Sequence, residues 1–303
     1  MKKLLTVILP AALLLSSCDF RESLYVQVPE TVWTQTVDSV STWLCFHDDE
    51  NASLLQYSLS SNRSQIDHGT YTTKGHSVII STEFASEYTV NRTFMNLKRK
   101  ASNYNYTQLS PYAYPSLAGS VWISPVSNDL HLAFFPSDDE CVDLLYSNIT
   151  REETGSAYGW AGVKKAVTRD GSEIAVGGMS ATTYKNVICE GHLAAGLIGK
   201  PLEEEGSSSL KGTVWVYNNT GYPADVPSAV IFTGKDSFIR IIGAWTGNVS
   251  DVRVAAIVFD VSSGTYSENG GTLTLSFGDK NESCSVSGSS FTLFEKSYRK
   301  LDY

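Results

Sequence analysis

Beyond residue 15 the chain lacks any long hydrophobic run, so no later segment reads as a membrane-spanning helix. Positive charge is scarce: 23 Lys and Arg face 32 Asp and Glu, a balance that argues against nucleic acid and against electrostatic docking on anionic lipid. Cysteine is scarce too, with five in 303 residues and no Cys-x-x-Cys spacing, so neither a zinc site nor a thioredoxin-type motif is indicated. There is no Gly-x-Ser-x-Gly, no phosphate-cradling glycine loop and no His-Glu-x-x-His, which leaves hydrolase and nucleotide-binding readings without an anchor. Two carboxylates suited to glycoside hydrolysis can always be found among 32 acids, so their presence carries no information. Helical periodicity is absent as well. β-branched and aromatic residues punctuated by Gly, Ser and Asn fill the chain, and the fold class they predict is all-β.

What the sequence does have begins at its N-terminus. Lys2 and Lys3 precede an apolar stretch from Leu4 to Leu15, followed by Leu15-Ser16-Ser17-Cys18. The stretch is too short for a stable span and ends on small residues, the pattern of a bacterial lipoprotein signal peptide with its lipobox. Residues 1–17 are expected to be removed, leaving a lipidated Cys18 and a leader over 18–30 that ties the body to the membrane. Removal takes away two lysines and no acid, so 21 basic residues then face 32 acidic ones, a net charge of −11. Four cysteines remain, Cys45, Cys141, Cys189 and Cys284. Small buried side chains explain them, an oxidising envelope permits disulfides, and sequence alone does not choose among the three pairings.

The body repeats. Thr31-Val32-Trp33 recurs as Ser120-Val121-Trp122 and as Thr213-Val214-Trp215, spaced 89 and 93 residues apart. At the offset of 89, Phe46 matches Phe135, Asp49 matches Asp138, Leu55 matches Leu144 and Tyr57 matches Tyr146. The third copy carries Phe232 and Asp236 in a similar turn after four extra residues. In-register agreement over a whole hairpin indicates tandem domains. Each copy reads as strand, acidic turn, strand and further hairpins, with turns at His47–Asn51, Pro136–Glu140 and Thr233–Ser237. Gly69-Thr70-Tyr71 and Gly264-Thr265-Tyr266 follow, then the turns Lys74-Gly75 and Asn269-Gly270. In the second copy the equivalent turn is Asp170-Gly171, which leaves Thr154–Val163 to be read as an insertion. Ser102–Leu117 and Glu203–Ser209 read as connectors. The expected units are 31–112, 118–202 and 211–303, each able to bury its own core and to behave as a bead packed end to end with its neighbours.

A lipobox followed by small all-β units that open on Gly119-Ser120-Val121-Trp122 or Gly212-Thr213-Val214-Trp215 resembles bacterial lipoproteins with lipocalin-like domains. The resemblance implies barrels in which the Trp seals one end and the opposite mouth admits an apolar ligand. It implies architecture more than activity. Units of 85–95 residues are short for eight strands, which argues against a roomy cup, and a barrel or a sandwich satisfies the pattern.

Candidate site residues are few. The acidic clusters Asp48-Asp49-Glu50 and Asp138-Asp139-Glu140 offer hard oxygens for calcium, although acids also favour exposed turns for reasons of their own. His47, His68, His76, His131 and His192 are scattered, and only His68 and His76 lie near one another. Neither group predicts a metal, and no cofactor is expected. The aromatics are more informative. Tyr104, Tyr106, Tyr112 and Tyr114 crowd the first connector, and Tyr158 and Trp160 sit in the second copy's extra segment. Exposed, they suit binding of glycan or protein; otherwise they pack between strands and units. Trp33, Trp122 and Trp215 are assigned to cores. Asp38-Ser39-Val40 also resembles the Asp-Ser/Thr-apolar site of an envelope O-glycosylation system.

The expectation is a non-enzymatic, lipid-anchored envelope protein whose β domains bind glycan, a protein partner or a small apolar ligand. Open barrel mouths favour the small ligand, and closed cores with an aromatic face favour the other two. An assembly spacer is the alternative, and a carbohydrate-active enzyme the third reading. Asp19 after Cys18 is an inner-membrane retention signal in some bacteria, whereas the Ser-, Thr-, Asn- and Tyr-rich body resembles proteins sent to the outer membrane, the location expected here.

Overall fold

The computed structural model describes residues 25–58, 63–82, 87–100, 104–126, 129–151, 155–191, 193–199, 208–217, 228–246 and 256–303. Residues 1–17, read above as a signal peptide, together with Cys18 and His192, lie outside the described residues.

Among the described residues, twenty-four strands form three closed eight-stranded antiparallel barrels. The first runs through β1 (Thr31–Val37), β2 (Val40–Phe46), β3 (Asn51–Ser58), β4 (Arg63–Lys74), β5 (Ser77–Thr82), β6 (Tyr88–Arg92), β7 (Leu97–Arg99) and β8 (Asn105–Leu109), and β8 closes on β1. The second comprises β9 (Val121–Val126), β10 (Asp129–Phe134), β11 (Glu140–Arg151), β12 (Gly155–Asp170), β13 (Glu173–Val176), β14 (Met179–Tyr184), β15 (Val187–Glu190) and β16 (Leu193–Gly199), closed by β16 on β9. The third comprises β17 (Val214–Tyr217), β18 (Ser228–Phe232), β19 (Ser237–Thr246), β20 (Ala256–Asn269), β21 (Thr272–Phe277), β22 (Lys280–Ser287), β23 (Ser290–Leu293) and β24 (Lys296–Lys300), closed by β24 on β17. Barrels, not sandwiches, satisfy the repeat. Eight strands fit into so little chain because many are only three to six residues long and tight turns join them.

Each unit opens on the same device. The indole N–H of Trp33, Trp122 and Trp215 donates to the hydroxyl of Thr31, Ser120 and Thr213, at 2.7, 2.9 and 2.9 Å. Those hydroxyls donate in turn to the carbonyls of Val28, Leu117 and Leu210. The residue before the hydroxyl is left-handed in all three: Gly119 at φ 78°, Gly212 at φ 80° and Glu30 at φ 57°. Two copies therefore use glycine where a side chain is disfavoured, and the first carries the strain of Glu30. The first hairpin turn is likewise left-handed at Asp38 and Ser39, so that sequence is accounted for by a tight two-residue β1–β2 turn.

Strand alternation divides the apolar residues between two kinds of core. Inward positions fill each barrel: Trp33, Leu44, Phe46, Leu54 and Tyr71 in the first, Trp122, Phe135, Cys141 and Val167 in the second, Trp215, Phe232, Phe238 and Tyr266 in the third. Outward positions on the strands that open each unit are apolar too, and they meet in one cluster shared by all three barrels. Val32, Trp43, Cys45 and Leu55 come from the first, Val121, Ile123, Leu144 and Trp160 from the second, and Val214, Val216, Ile231 and Ile239 from the third. The units are thus packed around a common core, so the expected end-to-end row of beads gives way to three barrels meeting in one cluster. A short antiparallel pairing of Arg63–Ser64 with Phe259–Asp260 joins the first and third barrels. The C-terminus completes the core. Leu301 and Tyr303 pack against it, and the Tyr303 hydroxyl donates to the Gly212 carbonyl at 2.6 Å.

Gly155–Val163 is not an insertion between elements. It is the first half of β12, paired with β11 from Arg151↔Gly155 through Asp143↔Val163. The extra residues lengthen one hairpin, and the added wall is what carries Trp160 into the shared core.

Candidate functional site

The three barrels share a register, so their interiors can be compared position by position. A cross-strand interior pair is Leu44↔Leu54 in the first barrel, Ala133↔Asp143 in the second and Val230↔Arg240 in the third. One residue beyond the matched pairs Asn51↔Thr70, Glu140↔Ala166 and Ser237↔Thr265 stand Tyr71, Val167 and Tyr266. The first barrel is filled by its two leucines and Tyr71. The third is filled by Tyr266 and by the Arg240 guanidinium, 4.3 Å over the Phe294 ring. The second replaces leucine by alanine, leucine by aspartate and tyrosine by valine. It retains a cavity of about 210 Å³.

Backbone differences open the same barrel further. Gly69 and Gly264 press against the next strand so closely that a Cβ would lie 2.1 Å from the Ser81 carbonyl oxygen or 2.0 Å from that of Ser276. The second unit has Lys165 at this position, opposite Cys141. It fits because β13 is short and its chain has already turned at Gly177 and Gly178, both left-handed. The Lys165 side chain thereby gains the mouth of the barrel.

The cavity is apolar at depth and polar at its rim. Trp122, Phe135, Ile174 and Ile188 line its floor and sides, and Asp143 organises the rim. The His131 Nε2 lies in hydrogen-bond contact with Asp143 Oδ1, and Lys165 Nζ sits 2.5 Å from Asp143 Oδ2. Burial pushes the Asp143 carboxyl up, but the hydrogen bonds and charges of His131 and Lys165 outweigh it and hold the group below the usual carboxylate range. Cys141, fully buried in the wall, is pushed up to about 12, chiefly by burial with Asp143 adding to it. Its thiol stays protonated at neutral pH and acts as an apolar wall atom, not as a nucleophile. The opposite end is shut by the first connector. Leu117 is fully buried with Trp122, and Tyr114 meets that indole edge-on at 5.6 Å.

The aromatics proposed from sequence separate in this frame. Tyr106 is 1 % exposed, its hydroxyl hydrogen-bonded to that of Tyr88 inside the first barrel, and Trp160 is 5 % exposed in the shared core against Tyr146. Neither is a surface for a ligand. Tyr114 is half-buried, and its hydroxyl accepts from the Asn186 amide at 2.7 Å, which ties the connector to the second barrel. Tyr112 is exposed at its ring but held by backbone bonds to Thr183, and Tyr104 is exposed. Tyr158 lies opposite Asn148 in β12, with its side chain outside the described residues. No contiguous aromatic face emerges from the described members of the set.

The acidic turns have local work. Asp48 accepts from the amides of Glu50 and Asn51 and from the Asn51 side chain, and these bonds, that of the side chain foremost, hold its carboxyl down to about 2. Asp138 accepts from the Leu117 amide at 2.6 Å and from Arg169 at 2.8 Å. Among the described residues no three His, Cys, Asp or Glu side chains are grouped to hold a metal ion. His68 pairs with Ser53, and His47 reaches the same hydroxyl from the other side.

Sequence reading missed His131, Asp143 and Lys165 as a group. The signal was present: the repeat alignment sets Asp143 against Leu54, a charge at an interior position. No family model and no curated protein matches the chain. Two solved structures resemble it distantly. One is a DNA polymerase III subunit beta sliding clamp from Bartonella birtlesii, at 7% identity and a TM-score of 0.14, with 94% of this chain and 98% of that chain covered. The other is an H. pylori beta clamp in complex with 5-chloroisatin, at 7% identity and a TM-score of 0.13, with 89% and 90% covered. Likenesses this slight bear on neither fold nor function.

Proposed function

We propose that this chain is a lipid-anchored, non-enzymatic protein of the bacterial cell envelope whose second barrel holds a small apolar ligand. The carrying observation is the difference among sister barrels. The first and third fill the matched interior positions with Leu, Val, Tyr or Arg, and the second keeps a cavity of about 210 Å³ there. An apolar cavity of about 150 Å³ suffices to hold benzene, so the volume suits a compact ring or the end of a chain. Asp143, Lys165 and His131 at the rim supply donors and an acceptor for a polar head, the usual division of labour in small-molecule sites. The lipobox motivates the anchor and the envelope, and the other two barrels serve as scaffold.

The test is titration with the apolar fluorophore anilinonaphthalene sulfonate, using the full chain and Ala133→Leu, which installs the first barrel's own residue. Saturable binding lost in the variant supports the reading, and equal binding by both forms overturns it. Placement is tested separately by protease treatment of intact cells with a periplasmic protein as control: digestion puts the body on the outer surface, protection puts it inside the envelope, and recovery from the cytosol overturns the anchor.

A further inference from the structure

Cys45 and Cys189 stand 144 positions apart in sequence and in different barrels. Cys45 is on β2, with its side chain directed out of the first barrel into the shared core. Cys189 is on β15, paired with Thr182 and Ala194, and its side chain leaves the second barrel toward the same cluster. The two side chains thus enter one cluster from opposite sides of the seam, and burial, helped by the neighbouring Cys189, pushes the Cys45 thiol up. Tyr184, one strand away from Cys189, packs on the same cluster. The other two cysteines are placed elsewhere: Cys141 lines the second barrel's cavity, and Cys284 packs on the third barrel's own cluster. Of the pairings open to four cysteines, the fold gathers one into a single cluster.

We propose that Cys45 and Cys189 form a disulfide that staples the first barrel to the second. In the structure both are thiols. The half-buried Cys189 is the point of entry, because Cys45 is 1 % exposed. A disulfide oxidant, RSSR, accepts attack by the Cys189 thiolate, giving a mixed disulfide and releasing one RS⁻. The Cys45 sulfur then attacks the Cys189 sulfur, the Cys45–Cys189 bond forms and the second RS⁻ leaves. Two protein thiols are oxidised and one disulfide is reduced to two thiols, the two protons passing to the leaving groups or to solvent. Burial and the neighbouring Cys189 push the Cys45 thiol well up, so the closing step is slow at neutral pH and accelerates as pH rises. The bridge itself rests on the fold. That it forms in the cell rests also on the envelope placement proposed above, since reducing compartments keep thiols free.

Two samples decide the matter. The purified full chain is treated with oxidised glutathione under native conditions, and a second sample is taken from cells with thiols blocked at lysis. Both are digested without reduction and read by peptide mass. The expected result in the first sample is a single cross-linked species joining the Cys45 and Cys189 peptides, with Cys141 and Cys284 alkylated, and a melting temperature raised by several degrees that falls on reduction. Cys189→Ser, a change at the half-buried partner, abolishes both. Persistent free or singly glutathionylated Cys45 and Cys189, or equal linkage through Cys141 or Cys284, overturns the pairing. A bridge in vitro with free thiols in the cellular sample upholds the pairing and instead overturns the oxidising-envelope placement.

Discussion

The indole N–H of Trp122 donates to Ser120 Oγ at 2.9 Å, and that same hydroxyl donates to the Leu117 carbonyl at 2.5 Å. All three residues are fully buried, so the serine satisfies two polar groups that have no access to water. Ser120→Ala leaves the indole N–H unpaired, while the Leu117 carbonyl keeps its bond from the Ser120 amide at 2.9 Å, and should cost about 1–3 kcal/mol for the one orphaned group. Ser120→Thr, the residue at the matched positions Thr31 and Thr213, should recover most of the loss. Urea unfolding of the three proteins measures it, and an alanine variant within about 0.5 kcal/mol of wild type contradicts the account.

Glu30 occupies the left-handed position that Gly119 and Gly212 take in the sister units. Glu30→Gly relieves a strain of about 1–2 kcal/mol but gives back about 0.4–1 kcal/mol through the freer unfolded chain. The net expectation is a gain of roughly 0.5–1 kcal/mol, the reverse of what glycine does in an ordinary strand. Thermal unfolding reports the sign directly.

At Gly69 the sign is opposite. A Cβ there would stand 2.1 Å from the Ser81 carbonyl oxygen, a backbone atom that moves only if β5 moves. Gly69→Ala should destabilise by about 3 kcal/mol or more, at or above the upper end of ordinary overpacking. Ala substitution at Gly75, with open space around it but φ 57°, should cost only about 1–2 kcal/mol. Comparing the two by denaturant titration separates steric conflict from dihedral strain.

Asp143 should leave a mark in acid. Its carboxyl lies below the ordinary range in the folded chain, so the unfolded state binds the proton more readily. The stability it contributes is complete above the unfolded value of about 4 and is lost as pH falls through the lower folded value. Asp143→Asn should therefore be less stable than wild type at pH 7, with the gap closing below about pH 4. A gap independent of pH would mean that the ion pairs with Lys165 and His131 contribute nothing beyond shape.

How far the sequence revealed this molecule can be read from single positions. The three Val-Trp pairs marked the start of every barrel because the same indole and hydroxyl contact recurs, and contacts within one strand leave a local signature. Asp170-Gly171 identified its hairpin for the same reason, since Gly171 itself supplies the left-handed residue of the β12–β13 turn. The outward faces were harder. Trp43, Cys45 and Leu55 are apolar at positions where an isolated barrel would meet water, yet which surface covers them is a property of distant segments. Sequence leaves Trp160 open between binding and packing, because an extra segment in one copy looks like decoration until its strand partner Tyr146 is known. The cavity was legible in principle, through Ala133, Asp143 and Val167 in place of larger residues, but only once the register had been fixed by pairing.

All five residues of β18, from Ser228 to Phe232, are buried, because one side of the strand lines its own barrel and the other faces the barrels next to it. Such a strand offers no position where a charge can be placed at little cost. Three units that repeat one pattern therefore serve as each other's solvent substitute, and each constrains what the others can hold. A unit excised at its connectors would carry away a bare apolar flank and leave two more behind, so parts that look separable along the sequence are inseparable in their packing.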